Sequence, residues 1–411
     1  MKLLIYEHVS GGGYAEKPIP VSILSEGFSM LRTLVADFKA AGHSVNTVLD
    51  SRLAALNPPL EAECIVPASS FQEAKLAIHN ISESADAAYI IAPESNQVLQ
   101  SLVANIEQAD VLSLNCRANA IERVSDKAAM LQCVNDKGLL TPATVTVNAF
   151  EDAAGIRQTI CDSLRFPLIV KPVDGVGCAG LSIVNNKQQV AGAVAKAIRE
   201  SSSNYFMVQE LIHGTSVSVS LLATDSEALP ISLNRQDVSL MPPEATSTYD
   251  GGHVPFDSPL KREACAVAVT VVKSFQGLRG YVGVDLVLTG KEAVMIEVNP
   301  RLTTSYLGLR KIVGFNPAQA IINAALENEL PANNQSRGYA VFSKVQTLKP
   351  TITALQETYS LNGVVSPPFP VPDNDTACAL VLSHGATLKE AKTEFHETKK
   401  SLRSIIHLEG K

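Results

Sequence analysis

The chain has 411 residues, of which 46% are hydrophobic and 18% charged, and its formal net charge is −7 at pH 7. That is enough apolar material for a large core, divided among roughly two to four domains. The acidic balance argues against a nucleic-acid backbone as partner, because that contact needs a basic footprint. No stretch has the length of a membrane span, and the N-terminus opens on a strand, Lys2 to Tyr6, instead of a signal peptide, so the expected location is the cytoplasm. Seven cysteines are scattered with no Cys-x-x-Cys pair, and eight histidines show no His-Glu-x-x-His spacing. Reduced thiols are expected, and a transition-metal enzyme is not.

Residues 1 to about 115 alternate strand and helix. Strand Leu3 to Tyr6 runs into Gly11-Gly12-Gly13; a helix with apolar positions Phe28, Leu31, Leu34, Val35 and Phe38 ends at Ala41-Gly42; strands follow at Val45 to Leu49, Cys64 to Val66 and Ala87 to Ala92, with helix Phe71 to Ile81 between the last two. Such alternation implies a parallel, doubly wound sheet with ligands at the carboxyl ends of its strands. Glu7, His8 and the glycines after the first strand, and Glu94 after the fourth, are therefore placed to touch a ligand; the triple glycine reads equally well as a plain turn.

A helical pattern from Arg123 to Lys137 is opened by Ser125 as a cap, with Lys127 just inside it. Strand Phe166 to Pro172 carries Lys171 and leads into Val173-Asp174-Gly175-Val176-Gly177-Cys178-Ala179-Gly180. Gly175, Gly177 and Gly180 match the Gly-x-Gly-x-x-Gly dinucleotide fingerprint, but a strand, Leu181 to Val184, follows where that fingerprint requires a helix. A glycine loop between antiparallel strands is instead a flap whose N–H groups can close over phosphates, with the Lys171 ammonium aimed at the same oxygens. Helix Gln188 to Glu200 and strand Tyr205 to Gln209 come next, then Glu210-Leu211-Ile212.

Strands Val217 to Ala223 and Ile231 to Leu233 precede Asn234-Arg235-Gln236 and a long polar loop, Asp237 to Phe256, in which Arg235 and Tyr249 to Val254 are candidate acceptor contacts. After helix Leu260 to Phe275, two apolar runs, Tyr281 to Leu288 and Ala293 to Val298, read as a hairpin. Polar groups interrupt them only at Asp285 and Glu297, with Asn299 and Arg301 directly after. Glu297 and Asn299 share a face by period two; Asp285 joins them only if paired positions sum to an even number, which calls for an odd-length turn such as Gly290 to Glu292. An Asp, a Glu and an Asn converging at a strand end make a hard-oxygen site suited to Mg²⁺, with Mn²⁺ as an alternative, shared with substrate phosphates. Arg301 can neutralise phosphate oxygens. The segment Leu302 to Arg310 is expected over the substrate cleft, and the rest, from about Gly338 with helix Leu388 to Ile405, as a small α+β unit without catalytic residues.

Glu297-Val298-Asn299-Pro300-Arg301, with Asp285 twelve positions before the Glu, resembles the metal-binding signature of ATP-grasp enzymes. Lys127, Lys171, the glycine flap and Met207-Val208-Gln209-Glu210-Leu211-Ile212 follow in that family's order. The resemblance implies that Lys127 and Lys171 contact ATP phosphates, that Gln209, Glu210, Leu211 and Ile212 form the hinge bonding adenine, and that Lys171, Arg301 and Arg235 act in catalysis. It implies a Rossmann-like domain (1–115), a first lobe with the flap (116–208), a second lobe with the metal site (209–335) and a small C-terminal domain (336–411). One departure stands out: many members carry an acid for the ribose after the hinge, whereas His213-Gly214-Thr215-Ser216 offers none, which weakens the expectation of ATP over GTP.

The implied activity is an ATP-dependent carboxylate–amine ligase working through an acyl phosphate on small-molecule substrates. Glu7-His8-Val9-Ser10-Gly11-Gly12-Gly13, Glu26-Gly27-Phe28-Ser29-Met30-Leu31, Leu233-Asn234-Arg235-Gln236 and Asn299 to Tyr306 look most like a branch of the family that acts in methanofuran biosynthesis. That likeness implies joining the γ-carboxylate of glutamate to the amine of tyramine. A different amide ligase, a kinase and a dinucleotide-dependent oxidoreductase stay open, as do a monomer and a homodimer.

Overall fold

The alternation of strand and helix at the start of the chain becomes a five-stranded parallel sheet in the computed structural model, which describes residues 1–173, 175, 177–201, 203–332, 335–372 and 374–408. Its strands are β1 (Lys2–Glu7), β2 (Ser44–Asp50), β3 (Cys64–Ala68), β4 (Ala87–Ile91) and β5 (Leu112–Ser113), in the order β3-β2-β1-β4-β5. The helix Val21–Ala40 covers one face, and Phe28, Leu31, Leu34, Val35 and Phe38 are all fully buried, as their helical spacing predicts. It ends where Gly42 takes φ +86°, a conformation that costs glycine nothing.

A second sheet, antiparallel, holds β6 (Thr144–Asn148), β7 (Leu168–Pro172), β8 (Ser182–Val184) and β9 (Tyr205–Glu210) in the order β6-β9-β7-β8. The helices Ala153–Ser163 and Val190–Arg199 pack on it around Ile160, Leu168, Val170, Ala193 and Phe206. The loop from β7 to β8 is the glycine flap; Asp174 and Val176 of that loop lie outside the described residues.

The third sheet has eight strands: β10 (Thr215–Ala223), β11 (Ala228–Ser239), β12 (Thr248–Val254), β13 (Gly280–Leu288), β14 (Ala293–Asn299), β15 (Tyr339–Leu348), β16 (Val364–Ser366) and β17 (Thr376–Gly385). Their order is β14-β13-β10-β11-β12-β15-β17-β16. Two expectations change here. Half of the polar stretch Asp237 to Phe256 is strand, with β12 lying between β11 and β15. Its glycines are the reason: a Cβ on Gly252 would sit 1.9 Å from the Arg235 carbonyl oxygen, and one on Gly251 would sit 2.1 Å from that of Phe342. Glycine here admits close neighbours on both sides, the opposite of its usual meaning in a loop. The residues from Gly338 onward likewise add β15, β16 and β17 to this sheet, so they share it with the acidic hairpin instead of standing apart.

The helix Lys261–Lys273 closes one face of this sheet over Val217, Val219, Leu233, Val282, Val284 and Leu286. Strand alternation then leaves the polar positions of the same strands on the other face. No helix among the described residues is long and apolar enough to cross a membrane.

Candidate active site

The face of the eight-stranded sheet opposite the helix Lys261–Lys273 carries a polar row. Asn234 lies opposite Ser218, Ser218 opposite Asp285, and Asp285 opposite Glu297, so four polar side chains cross β11, β10, β13 and β14 together. The register that achieves this differs from the odd-length turn expected from sequence. At the turn, Leu288 pairs with Ala293 around the four residues Thr289 to Glu292, with Thr289 N–H donating to the Glu292 carbonyl at 2.9 Å. A β-bulge between Leu286 and Asp285 then shifts the pairing by one and brings Asp285 opposite Glu297 and Gly283 opposite Asn299. Bulges re-aim side chains in this way and are common beside active sites.

The Asp285 carboxylate accepts from the Asn299 amide at 3.1 Å and from the Gln236 amide at 3.0 Å. Burial and the neighbouring Glu297 charge raise its pKa to about 7 in spite of both hydrogen bonds. Two facing carboxylates and an amide are hard oxygen donors, and their mutual repulsion is relieved by a cation between them; Asp285, Glu297 and Asn299 therefore fit a divalent ion such as Mg²⁺ or Mn²⁺.

Lys127 opens the helix Lys127–Asn135, and its ammonium lies 3.0 Å from the Glu297 carboxylate and donates to the Gly175 carbonyl at 2.9 Å. One lysine thus ties the flap to the acidic hairpin. The cap of this helix is Asp126, which accepts from Ala129 N–H at 3.0 Å; Ser125, expected in that role, ends the preceding helix and bonds the Ile121 carbonyl. Lys171 on β7 is buried, and burial together with Lys127 lowers its pKa to about 8. Glu297 is held low, because Lys127 and Lys171 outweigh its burial. The two sheets thus face each other with opposite charges. Gly177 at the flap has φ +62° and no atom within 4 Å of where a Cβ would stand, and Gly180 has φ +70°.

Arg301 forms a two-pronged pair with Glu94, at 3.0 Å from Nε and 3.1 Å from Nη2. Glu94, after the fourth parallel strand, is therefore brought beside Arg301. Glu7 and His8 are engaged elsewhere. The Glu7 carboxylate accepts from Val9 N–H, Ser10 N–H and the Ser10 hydroxyl at 2.9, 2.7 and 2.6 Å, and His8 packs edge-on against Phe71 and Tyr14, its pKa lowered to about 4 by burial. Both are buried supports of the turn Val9–Gly13.

Arg235 also departs from expectation. It alternates with Asn234 and Gln236 and so leaves the sheet on the opposite face, where its guanidinium donates to the Ser216 and Gln236 carbonyls at 2.9 and 2.8 Å. At the hinge, Gln209 is buried and its amide donates to the Thr144 hydroxyl at 2.9 Å; Glu210 N–H donates to the Ala143 carbonyl at 3.0 Å and Leu211 N–H to that of Pro167 at 3.1 Å, and Ile212 follows half-buried.

Sequence reading assigned no role to Gln236, Glu26, Lys344 or Cys178, whereas Tyr249 falls within its candidate acceptor segment Tyr249 to Val254. Gln236 orients Asp285. Glu26, from the helix Val21–Ala40, accepts from the Thr304 hydroxyl at 3.0 Å and pairs with Lys344 of β15 at 2.8 Å; the Lys344 ammonium lies 5.6 Å from the Tyr249 ring centre. Burial, with Glu26 and then Asp285 adding to it, pushes the Tyr249 hydroxyl well above its usual range. The Cys178 thiol in the flap is pushed up to about 11, by burial first and then by Glu297 and Glu26. No motif links Glu26 to Lys344, which are 318 residues apart.

A clamp of two lysines and a glycine flap over an acidic hairpin, behind a parallel N-terminal sheet, defines an ATP-grasp architecture. Residues 124–305 match the ATP-grasp domain model and residues 43–121 the pre ATP-grasp 3 domain, so the chain is an ATP-grasp protein with a pre-ATP-grasp domain. It is, further, an ATP-dependent ligase of the carboxylate–amine class, similar along most of its length to tyramine--L-glutamate ligases. Identity is 27% with that of Methanocaldococcus fervens, covering 82% of this chain and 99% of the relative, and 28% with that of Methanocaldococcus jannaschii, covering 80% and 90%. Biotin carboxylase from Campylobacter jejuni, solved as a beta-gamma-ATP complex, shares the fold at a TM-score of 0.73 and 14% identity over 99% of this chain and 95% of its own.

Proposed function

We propose that this ligase joins the γ-carboxylate of glutamate to the amine of tyramine, with ATP converted to ADP and phosphate through an acyl phosphate. Support comes from the named activity of its relatives and, in the molecule, from one observation above all: the bulge that sets Asp285 opposite Glu297 below the two lysines.

The reaction must bring two anions together, a triphosphate and a carboxylate, before any bond can form. Lys127 and Lys171 offset that repulsion from the flap side and Arg301 from the hairpin side, so charge on the transferring phosphoryl group meets fixed cations in a water-poor site. Asp285, Glu297 and Asn299 are the residues to hold a divalent ion, which when bound supplies further neutralisation of phosphate oxygens. The flap excludes water, to which an acyl phosphate would otherwise be lost. The amine then attacks the acyl carbon and phosphate leaves. No side chain needs to act as a nucleophile. Adenine is assigned to the hinge, through the Glu210 carbonyl and Ile212 N–H, since the N–H groups of Glu210 and Leu211 are already engaged.

The test is a screen of ADP release with glutamate and other carboxylates against a panel of amines that includes tyramine. The reading expects one amide and one phosphate per ADP, with glutamate and tyramine the best pair. A stable phosphorylated product without amide, or turnover confined to other pairs, overturns it.

A further inference from the structure

Glu26 and Lys344 come from opposite ends of the chain and meet at the cleft. Through the pairs Gln236 with Gly252 and Gly252 with Phe342, strand alternation places Lys344 on the same face of the eight-stranded sheet as Gln236 and hence Asp285. Tyr249 lies between the two ends of that face, with its ring against Lys344. The pair is largely enclosed, with side-chain exposures of 13% for Glu26 and 11% for Lys344, and is bordered by Thr304, three residues after Arg301. A carboxylate and an ammonium held side by side present the mirror image of a zwitterion.

We propose that Glu26 and Lys344 clamp the α-ammonium and α-carboxylate of a free amino acid, leaving its side-chain carboxylate as the group that reaches the phosphoryl-transfer end of the cleft. This rests on the ligase reading above and adds to it the residues that hold the donor's α groups, so that retention of the α-carboxylate by Lys344 accounts for bond formation at the side chain. Thr304 and Ser22, which bond the clamp at 3.0 and 2.8 Å, fix the orientation of its two charges. Lys344 lies on β15 in the C-terminal stretch, which gives that stretch a role in choosing the substrate.

Three donors separate the two halves of the clamp: glutamate, glutarate without the ammonium, and 4-aminobutanoate without the α-carboxylate. ADP release is read with tyramine as amine. Wild type should prefer glutamate to either analogue in kcat/KM by on the order of 10- to 100-fold, the worth of a hydrogen bond to a charged group. Glu26→Gln should erase the preference over glutarate, and Lys344→Met the preference over 4-aminobutanoate, each chiefly through KM. The double exchange Glu26→Lys with Lys344→Glu keeps the ion pair and reverses its polarity: melting temperature should return toward wild type while glutamate use does not. Recovery of glutamate turnover in the exchange, or an equal loss on all three donors in the single variants, overturns the clamp and leaves the ligase reading intact. If wild type forms no amide from glutamate at all, the ligase reading itself fails.

Discussion

The glycine turn after β1 and the glycine loop after β7 look alike in sequence, and each follows a buried strand that ends near a charged residue, Glu7 or Lys171. In the first, every space a side chain could take is filled: a Cβ on Gly13 would lie 2.3 Å from the His8 ring, and one on Gly11 would lie 2.5 Å from Tyr6. In the second, Gly177 has nothing within 4 Å. Glycine in the first turn makes room for the protein's own rings; in the second, Gly180 makes room for Pro172, 2.7 Å from where its Cβ would stand, and it is Gly177 that leaves room for something else. The charges follow the same division, because Glu7 spends its carboxylate on the neighbouring N–H groups while Lys171 faces the acids of another sheet.

This contrast can be broken or sharpened by substitution. The largest effect belongs to the charges around the second loop. Glu297→Gln and Asp285→Asn should each lower ADP formation by on the order of 1000-fold, and Lys171→Ala by about 100- to 1000-fold, as for other groups that stabilise transition-state charge, while circular dichroism stays native. Asp285→Asn should in addition raise the melting temperature of the metal-free protein at pH 8. The sign follows from the raised pKa: the folded state holds a proton that the unfolded chain gives up near pH 4, so stability falls as pH climbs from about 4 to about 7, and the amide removes that fall.

A smaller effect is expected from pH. With Asp285 at about 7 and Lys171 at about 8, kcat/KM should be bell-shaped, falling about tenfold per unit below the first value and above the second. Asp285→Asn should abolish the acid limb in metal binding measured by calorimetry. In the first turn, Gly13→Ala should cost about 1–3 kcal/mol of stability by overpacking against His8, with ADP release per folded molecule unchanged. The mildest change is Gly177→Ala, where only the left-handed backbone is penalised, by about 1–2 kcal/mol within the flap; KM for ATP should rise while the global melting temperature hardly moves.

Much of the fold was legible in the chain. The helix Val21–Ala40 announced itself through five core positions at helical spacing, and the parallel sheet through alternation. The acidic hairpin was legible because Asp285, Glu297 and Asn299 interrupt otherwise apolar strands. Its bulge was not, since a register shift depends on how β14 meets β13 and leaves no mark in composition. Gly251 and Gly252 read as loop because glycine signals a turn far more often than a crowded strand. Arg235 looked like a catalytic residue by its motif, and only its parity relative to Asn234 shows that it leaves the sheet on the other face. Glu26 and Lys344 were out of reach for a different reason, since a pair closed by tertiary packing has no local pattern to find.

The most direct test of the chemistry follows oxygen. Glutamate labelled with ¹⁸O in its γ-carboxylate, turned over with ATP and tyramine, should deliver one labelled oxygen to inorganic phosphate for each amide formed, because the acyl phosphate carries a carboxylate oxygen across. Amide formation with unlabelled phosphate, or with label in AMP, would contradict the account.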